Sequence, residues 1–443
     1  MFTDTQLRKL IFPLMVEQVL VMLVGMLDTV MVSSAGEAAI SGVSIVNEVN
    51  WLVIAVMDAL AAGGSVVTSQ YLGYGRREET DLSASQLIMI SILIPLILGA
   101  VCFFSARNIL TLLYARISPE VMDAGVTYFR ITALSFPFLG MYNSCCALYR
   151  SMSRTKSIMN TSILMNVINV AGNYFGVYVL HLGVAGVAWP TLVSRAVAAM
   201  IMFRLCFDPE NELCIRWKQI FMADRPTLRR IMSMAVPNAV ESGLFQMGRI
   251  IVTIFVSTYG TSEIAANAVA NGLGNLCYIA DNALGLAIMT AVGQCVGAGR
   301  YEEAEFYGRK LVKIAWVAEI LECVLCWISL PLLMQMYEMT PETAAIVQRI
   351  MILCFAATAL LHAPAFVLPN AIRAAGDARF TMAVGVGSMF CVRIVGAYLF
   401  GTVLGLKTQG IWIAMYCDWI VRICFFCARW RSGKWKNFRV VGK

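Results

Sequence analysis

Asp28 lies in a stretch of chain that otherwise carries no charge from Val19 to Val32, and Glu17 precedes it by eleven residues. In a helix that spacing is about three turns, so both carboxylates leave nearly the same face, roughly 16 Å apart. A carboxylate in an apolar medium must pair with a cation, take up a proton or bind a metal ion such as Na⁺. Asn166, Asn169 and Asn173 follow at i, i+3 and i+7 and make one polar stripe on an apolar segment. Such a stripe can be interhelical hydrogen-bond glue, or it can supply amide oxygens, which are hard ligands for a cation. The second half has its own set in apolar runs: Glu241, Gln246, Arg249, Asn275, Asp281 and Asn282. Asp58 belongs with them as a residue that could line a cavity or cap packing. Glu319 and Glu322, and Asp418 with Arg422 at i, i+4, read as internal pairs.

The surrounding chain makes these groups unusual. It has 443 residues, 59% hydrophobic and 14% charged, with mean hydropathy +0.73. An ordinary soluble chain is about a quarter charged, so a soluble enzyme and a disordered chain are both excluded. Apolar runs long enough to span a bilayer recur near 10–33, 48–71, 86–106, 126–149, 158–180 and 184–207. They resume near 232–257, 271–297, 311–335, 345–370, 381–404 and 409–430. Hydrocarbon leaves the backbone no outside partner, so these runs must be helices. The fold class expected is therefore an all-α membrane protein of twelve transmembrane helices. The first run is too long for a signal h-region and lacks a small-residue cleavage site.

The net charge of +7 is explained by topology. The N-terminus, alternate connections and the C-terminus hold 25 Lys and Arg; the opposite set holds three, Arg107, Arg116 and Lys407. This bias places both termini in the cytoplasm of a multi-pass protein of the cell's inner membrane. It also removes the support for a nucleic-acid partner. The lipid bilayer is the surrounding partner instead.

A shift of 224 residues lays the sequence on itself. Pro13 meets Pro237, Glu17 meets Glu241, Gly36 meets Gly260, and Gly186 meets Gly410. The segment Gln70-x-x-Gly73-x-Gly75-Arg76-x-Glu78-Glu79 meets Gln294-x-x-Gly297-x-Gly299-Arg300-x-Glu302-Glu303, while Arg150 meets Arg373 after a one-residue slip. Six helices per copy give both copies the same orientation, and hence two pseudo-symmetric six-helix bundles flanking a cavity. The expected division is an N-terminal lobe 1–207, a cytoplasmic linker 208–230 and a C-terminal lobe 231–443. Asp28 has no acidic counterpart, because Val252 takes its place. A purely architectural carboxylate should recur, as Glu17 does, so Asp28 is the candidate for ion coupling.

On these residues the chain resembles the multidrug and toxic compound extrusion (MATE) transporters. The marks are Pro13 to Asp28-Thr29-Val30-Met31, the Gln70/Gly73/Gly75 loop with its copy, Arg373-Ala-Ala-Gly376-Asp377-Ala-Arg379, and Val184-Ala-Gly186-Val-Ala188. The resemblance covers nearly the whole chain. It implies an antiporter, not an enzyme, that exchanges Na⁺ or H⁺ for an amphiphilic, cationic compound by alternating access. It also implies a cation site of Asp28, Asn143, Asn169, Asn173 and Thr191 in the first lobe, with no metal beyond a Na⁺ at Asp28. Members often carry Asp where Asn173 stands, which leaves this site one carboxylate. Relatives often place an acid facing the cavity in the seventh helix; Glu241 is the acid present there, either as a coupling site or in a structural ion pair with Arg249 two turns on, and Gln246, Asp281 and Asp58 are the other candidate second-lobe or cavity residues.

Other chemistry finds little support. His181 and His362 have no ligand spacing around them, and the 14 Cys are scattered along apolar runs. Without a second pair, Cys323-x-x-Cys326 and Cys424-x-x-Cys427 are packing residues. No Gly-x-x-x-x-Gly-Lys loop is present to drive ATP-powered transport, and no cofactor is expected beyond the coupling ion. A small amphiphilic substrate and a monomeric chain complete the expectation. A related lipid-linked oligosaccharide flippase is the first rival, though it should have extra helices and a strongly cationic cavity. An intramembrane transferase is the second, though it should show an Asp-rich metal motif.

Overall fold

The computed structural model describes residues 2–34, 36–114, 117–335, 337 and 339–441, and helix is the only regular structure among them. Arg116 and Lys443, two of the topological charges, lie outside the described residues. Every one of the twelve apolar runs is helical. The first lobe's spans are α1 (Asp4–Ser33), α2 (Glu37–Tyr74), α3 (Arg77–Phe104), α4 (Pro119–Leu134 and Phe136–Ser151), α5 (Thr155–Tyr174) and α6 (Ala185–Leu205). The second copy supplies α7 (Arg225–Ser257), α8 (Thr261–Gly297), α9 (Tyr301–Gln335), α10 (Pro341–Ala374), α11 (Ala378–Val403) and α12 (Lys407–Arg431). Nine of these pass a length-and-apolarity test for spanning a membrane, and α4, bent by 45° at Ser135, makes ten. The remaining two, α1 and α5, are the helices that carry Asp28 and the asparagine stripe.

The ends of these helices follow from local chemistry. Thr3 and Gln6 form a reciprocal capping box that starts α1. Gly36 and Gly260 precede α2 and α8 with φ of 101° and 105°, and Gly75 and Gly299 end α2 and α8 with φ of 78° and 74°. Those conformations suit glycine. Their recurrence at the 224-residue shift shows that the repeat is a repeat of backbone, not only of letters.

By internal contact the chain divides between Ala239 and Val240, inside α7. The segment 208–230 is built into the first unit. Asp81, buried on α3, accepts from the Cys214 N–H at 2.9 Å and from Arg216 at 3.1 Å. Gln86 donates to the carbonyls of Gln219 and Met222 and accepts from the Asp224 N–H.

Within each unit, small residues let helices approach closely, because packing rather than water exclusion holds helices together in lipid. α5 continues as a π-helical turn (Phe175–Val179), and there it meets α6 backbone to backbone. A Cβ on Gly176 would stand 2.3 Å from the Gly186 carbonyl oxygen, and one on Gly172 would stand 2.6 Å from Pro190. The second unit repeats this crossing between α11 and α12, where a Cβ on Gly410 would stand 2.5 Å from the Phe400 backbone.

The α5–α6 contact has no side chain that can rotate away. Gly186→Val should therefore destabilise the purified protein by about 1–3 kcal/mol or more. Gly243→Ala, where an added Cβ meets nothing within 4 Å, should be neutral or slightly stabilising. Thermal unfolding in detergent checks both; equal midpoints for the two variants would contradict the close approach.

Candidate functional site

The close crossing of α5 and α6 brings the stripe on α5 against Thr191 and against Asp28 on α1. Asn173 Nδ2 donates to Asp28 Oδ1 at 2.6 Å and lies 3.2 Å from Asn169 Oδ1. Asn169 Nδ2 in turn donates to Thr191 Oγ1 at 3.2 Å, and Thr191 donates to the Val187 carbonyl. The four residues thus form one chain of polar atoms across three helices. Asn169 and Asn173 are buried, whereas Asp28 and Thr191 are half-buried. Asn173 Oδ1 is buried without a hydrogen-bond partner. An orphaned amide oxygen beside a carboxylate is a vacancy for a proton donor or a hard cation.

The electrostatic partner of Asp28 across the bundle is Arg195 on α6, which donates to Ser135 Oγ at 2.8 Å where α4 bends. Tyr128 lies within reach of both charges. Nothing local in the sequence distinguishes Arg195, because its partners come from α1 and α4.

Asn143 is not a link in this chain of bonds. Its Nδ2 donates to Asp58 Oδ1 at 2.8 Å, joining α4 to α2. Glu17 is buried on α1, and Arg150 is the cation acting on it. Its repeat partner Glu241 accepts from Arg373 Nη2 at 2.7 Å. Arg150 and Arg373 are themselves repeat equivalents, but the contact closes into an ion pair in the second lobe and leaves Glu17 Oε2 buried without a hydrogen-bond partner in the first. The partner of Glu241 is therefore Arg373 and not Arg249, because the helix carrying Arg373 packs closer than two turns along α7 can reach.

The second unit assembles a different cluster. Asp281 on α8, Glu319 on α9 and His362 on α10 are all buried. His362 Nδ1 lies 2.7 Å from Asp281 Oδ2 and 3.0 Å from Glu319 Oε1. Their ligand atoms all fall within 4.8 Å of one another. One ring nitrogen carries at most one proton, so it serves one carboxylate at a time, and the cluster has room for a further proton or cation. Tyr278 and Phe366 stack on the two sides of the imidazole, with centroids at 4.2 and 4.4 Å. His362 lacks ligand spacing in the sequence because both partners arrive from other helices.

Broken helices explain why the acids sit there. α8 passes through a 3₁₀ turn at Asn275–Tyr278, and Glu322 accepts from the Ala280 N–H at 3.0 Å where the α-helix resumes. On α10 the Ala363 N–H goes to Glu319 Oε2 at 2.9 Å, while Trp316 donates to the Ala359 carbonyl. Side chains of α9 have replaced the helix's own bond just before Pro364. Asp418 and Arg422 on α12 form the i, i+4 pair expected, at 3.0 Å.

A cavity of about 470 Å³ opens inside the second unit, and its lining includes Asp281, Asn282 and His362 together with Arg249, Arg373 and Arg393. Gln246 is half-buried on α7 and lies outside the lining among the described residues.

Comparison with known proteins gives one consistent answer. The family profile MatE matches residues 13–175 and again 237–399, two copies separated by the same 224 residues. The chain is 28% identical to the "Uncharacterized transporter YisQ" of Bacillus subtilis over 439 residues, covering 97% of this chain and 94% of that protein. It is 25% identical to the "Probable multidrug resistance protein NorM" of Thermotoga maritima, covering 98% and 94%. A solved structure described as the outward-facing conformation of a multidrug resistance MATE family transporter of the MOP superfamily superimposes with a TM-score of 0.90 at 16% identity, covering 99% and 96%.

Arg373→Gln would strand Glu241 in a mostly buried position. Breaking such a pair from one side should cost about 3–5 kcal/mol, and the double variant Glu241→Gln/Arg373→Gln should recover much of it. Thermal midpoints of the two variants decide the matter; a double variant no more stable than the single would refute the pairing.

Proposed function

The chain belongs to the MatE family of membrane transporters, and from that premise we propose an ion-coupled antiporter that exports amphiphilic, cationic compounds by alternating access. The observation that carries this reading is the chain from Asp28 through Asn173 and Asn169 to Thr191, together with the orphaned oxygen of Asn173. Na⁺ would find a carboxylate, amide oxygens and a hydroxyl, the hard donors it prefers. A proton on Asp28 would instead need an acceptor, and the Asn173 amide supplies one when turned by half a rotation. Either ion removes the net charge of the carboxylate and lowers the cost of closing the site away from water. With the ion gone, Asp28 falls back on Arg195. The two charge states thereby favour different arrangements of α1, the coupling that antiport requires. A cationic cargo that competes for Asp28 completes the exchange.

A second reading has its own observation, the buried Asp281–Glu319–His362 cluster. There the coupling proton would be shared between the imidazole and the two carboxylates. Twelve spans and the MatE match weigh against the oligosaccharide flippase, and the family's function as transporters against the transferase.

Efflux of an organic cation from everted vesicles, with Na⁺ and H⁺ gradients imposed separately, tests both readings. Asp28→Asn should lower gradient-driven transport by about tenfold or more, in keeping with coupling energies of ~1–3 kcal/mol. Wild-type efflux indifferent to both gradients would sink the antiporter. Full gradient-driven efflux in Asp28→Asn, with loss in Glu319→Gln, would move coupling to the second lobe.

A further inference from the structure

Among the described residues, neither Arg249 nor Arg393 on the wall of the second-unit cavity has an ion-pair partner. The other two guanidiniums of the region are committed. Arg373 holds Glu241 at 2.7 Å and Asn370 at 2.8 Å. Arg422 holds Asp418 and the Gly385 carbonyl, both at 3.0 Å. Arg393 Nε, by contrast, is buried with no hydrogen-bond partner. The charges that act on Arg393 are those of Arg249, Arg422 and Asp418. Since Arg422 and Asp418 cancel as a pair, Arg249 and Arg393 are the cations of this lining that have no carboxylate of their own. Two like charges facing one cavity repel, and the buried Arg393 Nε lacks a partner, costs that a bound anion would remove.

The cavity is furnished for a particular kind of anion. Phe245 lies under the guanidinium of Arg393 at 5.6 Å and under that of Arg422 at 5.3 Å, so its ring helps hold Arg393 in place. Tyr278, Phe366 and Trp419 give the cavity flat apolar faces, and about 470 Å³ suits a small amphiphile. The carboxylate in the lining, Asp281, is engaged by His362 at 2.7 Å. Arg393 also sits in a π-helical stretch (Met389–Ile394), a local widening often found at functional sites. Under the 224-residue repeat Arg393 takes the place of Asn169, and Val252 that of Asp28. Asn169, one link away from Asp28 in the first lobe, is thus replaced by a cation in the second, where Val252 stands in place of the carboxylate.

We propose that this cavity binds an organic anion, a carboxylate, sulfonate or phosphate on an apolar or aromatic body, with its charge between Arg249 and Arg393. The proposal rests on the transport reading only in treating that anion as cargo, and it changes the charge of cargo that the second lobe accepts. An anionic phospholipid head group presents the same chemistry, so the test separates the two sources.

The test is calorimetric binding to the purified full chain in phosphatidylcholine nanodiscs. The probes are 2-naphthalenesulfonate and, as its opposite in charge, 2-naphthyltrimethylammonium. The sulfonate should bind, and the ammonium should bind about tenfold more weakly or not at all. Arg393→Gln and Arg249→Gln should each weaken sulfonate binding by about tenfold or more, while Arg393→Lys should keep most of it. If Arg393→Gln does not fold, Arg249→Gln, whose side chain is exposed, carries the test. Discs with added phosphatidylglycerol separate the sources: arginine-dependent displacement of the sulfonate assigns the same site to a lipid head group, and no displacement assigns it to a soluble anion. Ammonium binding as tight as sulfonate binding, or unaltered sulfonate binding in both Gln variants, would overturn the proposal. Binding needs no ion gradient, so a failure of ion coupling leaves it standing, and its own failure leaves gradient-driven cation efflux untouched.

Discussion

Hydrocarbon offers no partner to a charge or to a backbone polar group, and nearly every specific feature of this chain answers to that constraint. Helices satisfy the backbone along most of their length. Where a helix breaks or a carboxylate enters the apolar zone, a side chain from a neighbouring helix must make up the deficit. Glu322 takes the N–H left free where α8 resumes, Glu319 takes the one before Pro364, and Arg373 takes the charge of Glu241. The polar residues of the spans are thus organised in pairs and small clusters. The Asn173 amide oxygen and Arg393 Nε are among the buried polar atoms that this rule leaves without a partner.

The duplication supplies a common frame and then departs from it. Both copies share glycines with positive φ at the ends of matching helices and a close crossing of the fifth and sixth helices. These are matters of backbone path, and two copies of one path need the same residues. The interior of each lobe is free of that requirement. One lobe there combines a carboxylate with amides; the other combines arginines, aromatic rings and a separate Asp–Glu–His cluster. The two lobes therefore share a backbone path and differ in the charge of their interiors.

Much of the fold was legible without coordinates, because a span is a local property. Twenty apolar residues declare themselves wherever they lie, and the repeat was readable from Pro13/Pro237 to Gly186/Gly410. The candidate site was legible in part. Asp28 and the stripe Asn169/Asn173 could be singled out as polar groups on apolar helices, but Asn143 was grouped with them when its amide in fact serves Asp58. Arg195 and His362 give no comparable signal, and Glu319, which reads as an internal pair with Glu322, meets His362 instead. Each gains its role from residues dozens of positions away, and no spacing rule connects them.

The sequence by itself determined the number of spans, their duplication, and which residues had to be buried at a cost. It could do so because transfer into lipid is summed residue by residue along one helix. The tertiary structure alone decided which buried group meets which. A turn of a helix displaces a side chain by 5.4 Å along the axis, more than the reach of a hydrogen bond. Partners are therefore settled by the depth and rotation of packed helices. That is why Glu241 found Arg373, why Arg249 was left to the cavity with Arg393, and why Asp28 met Asn173.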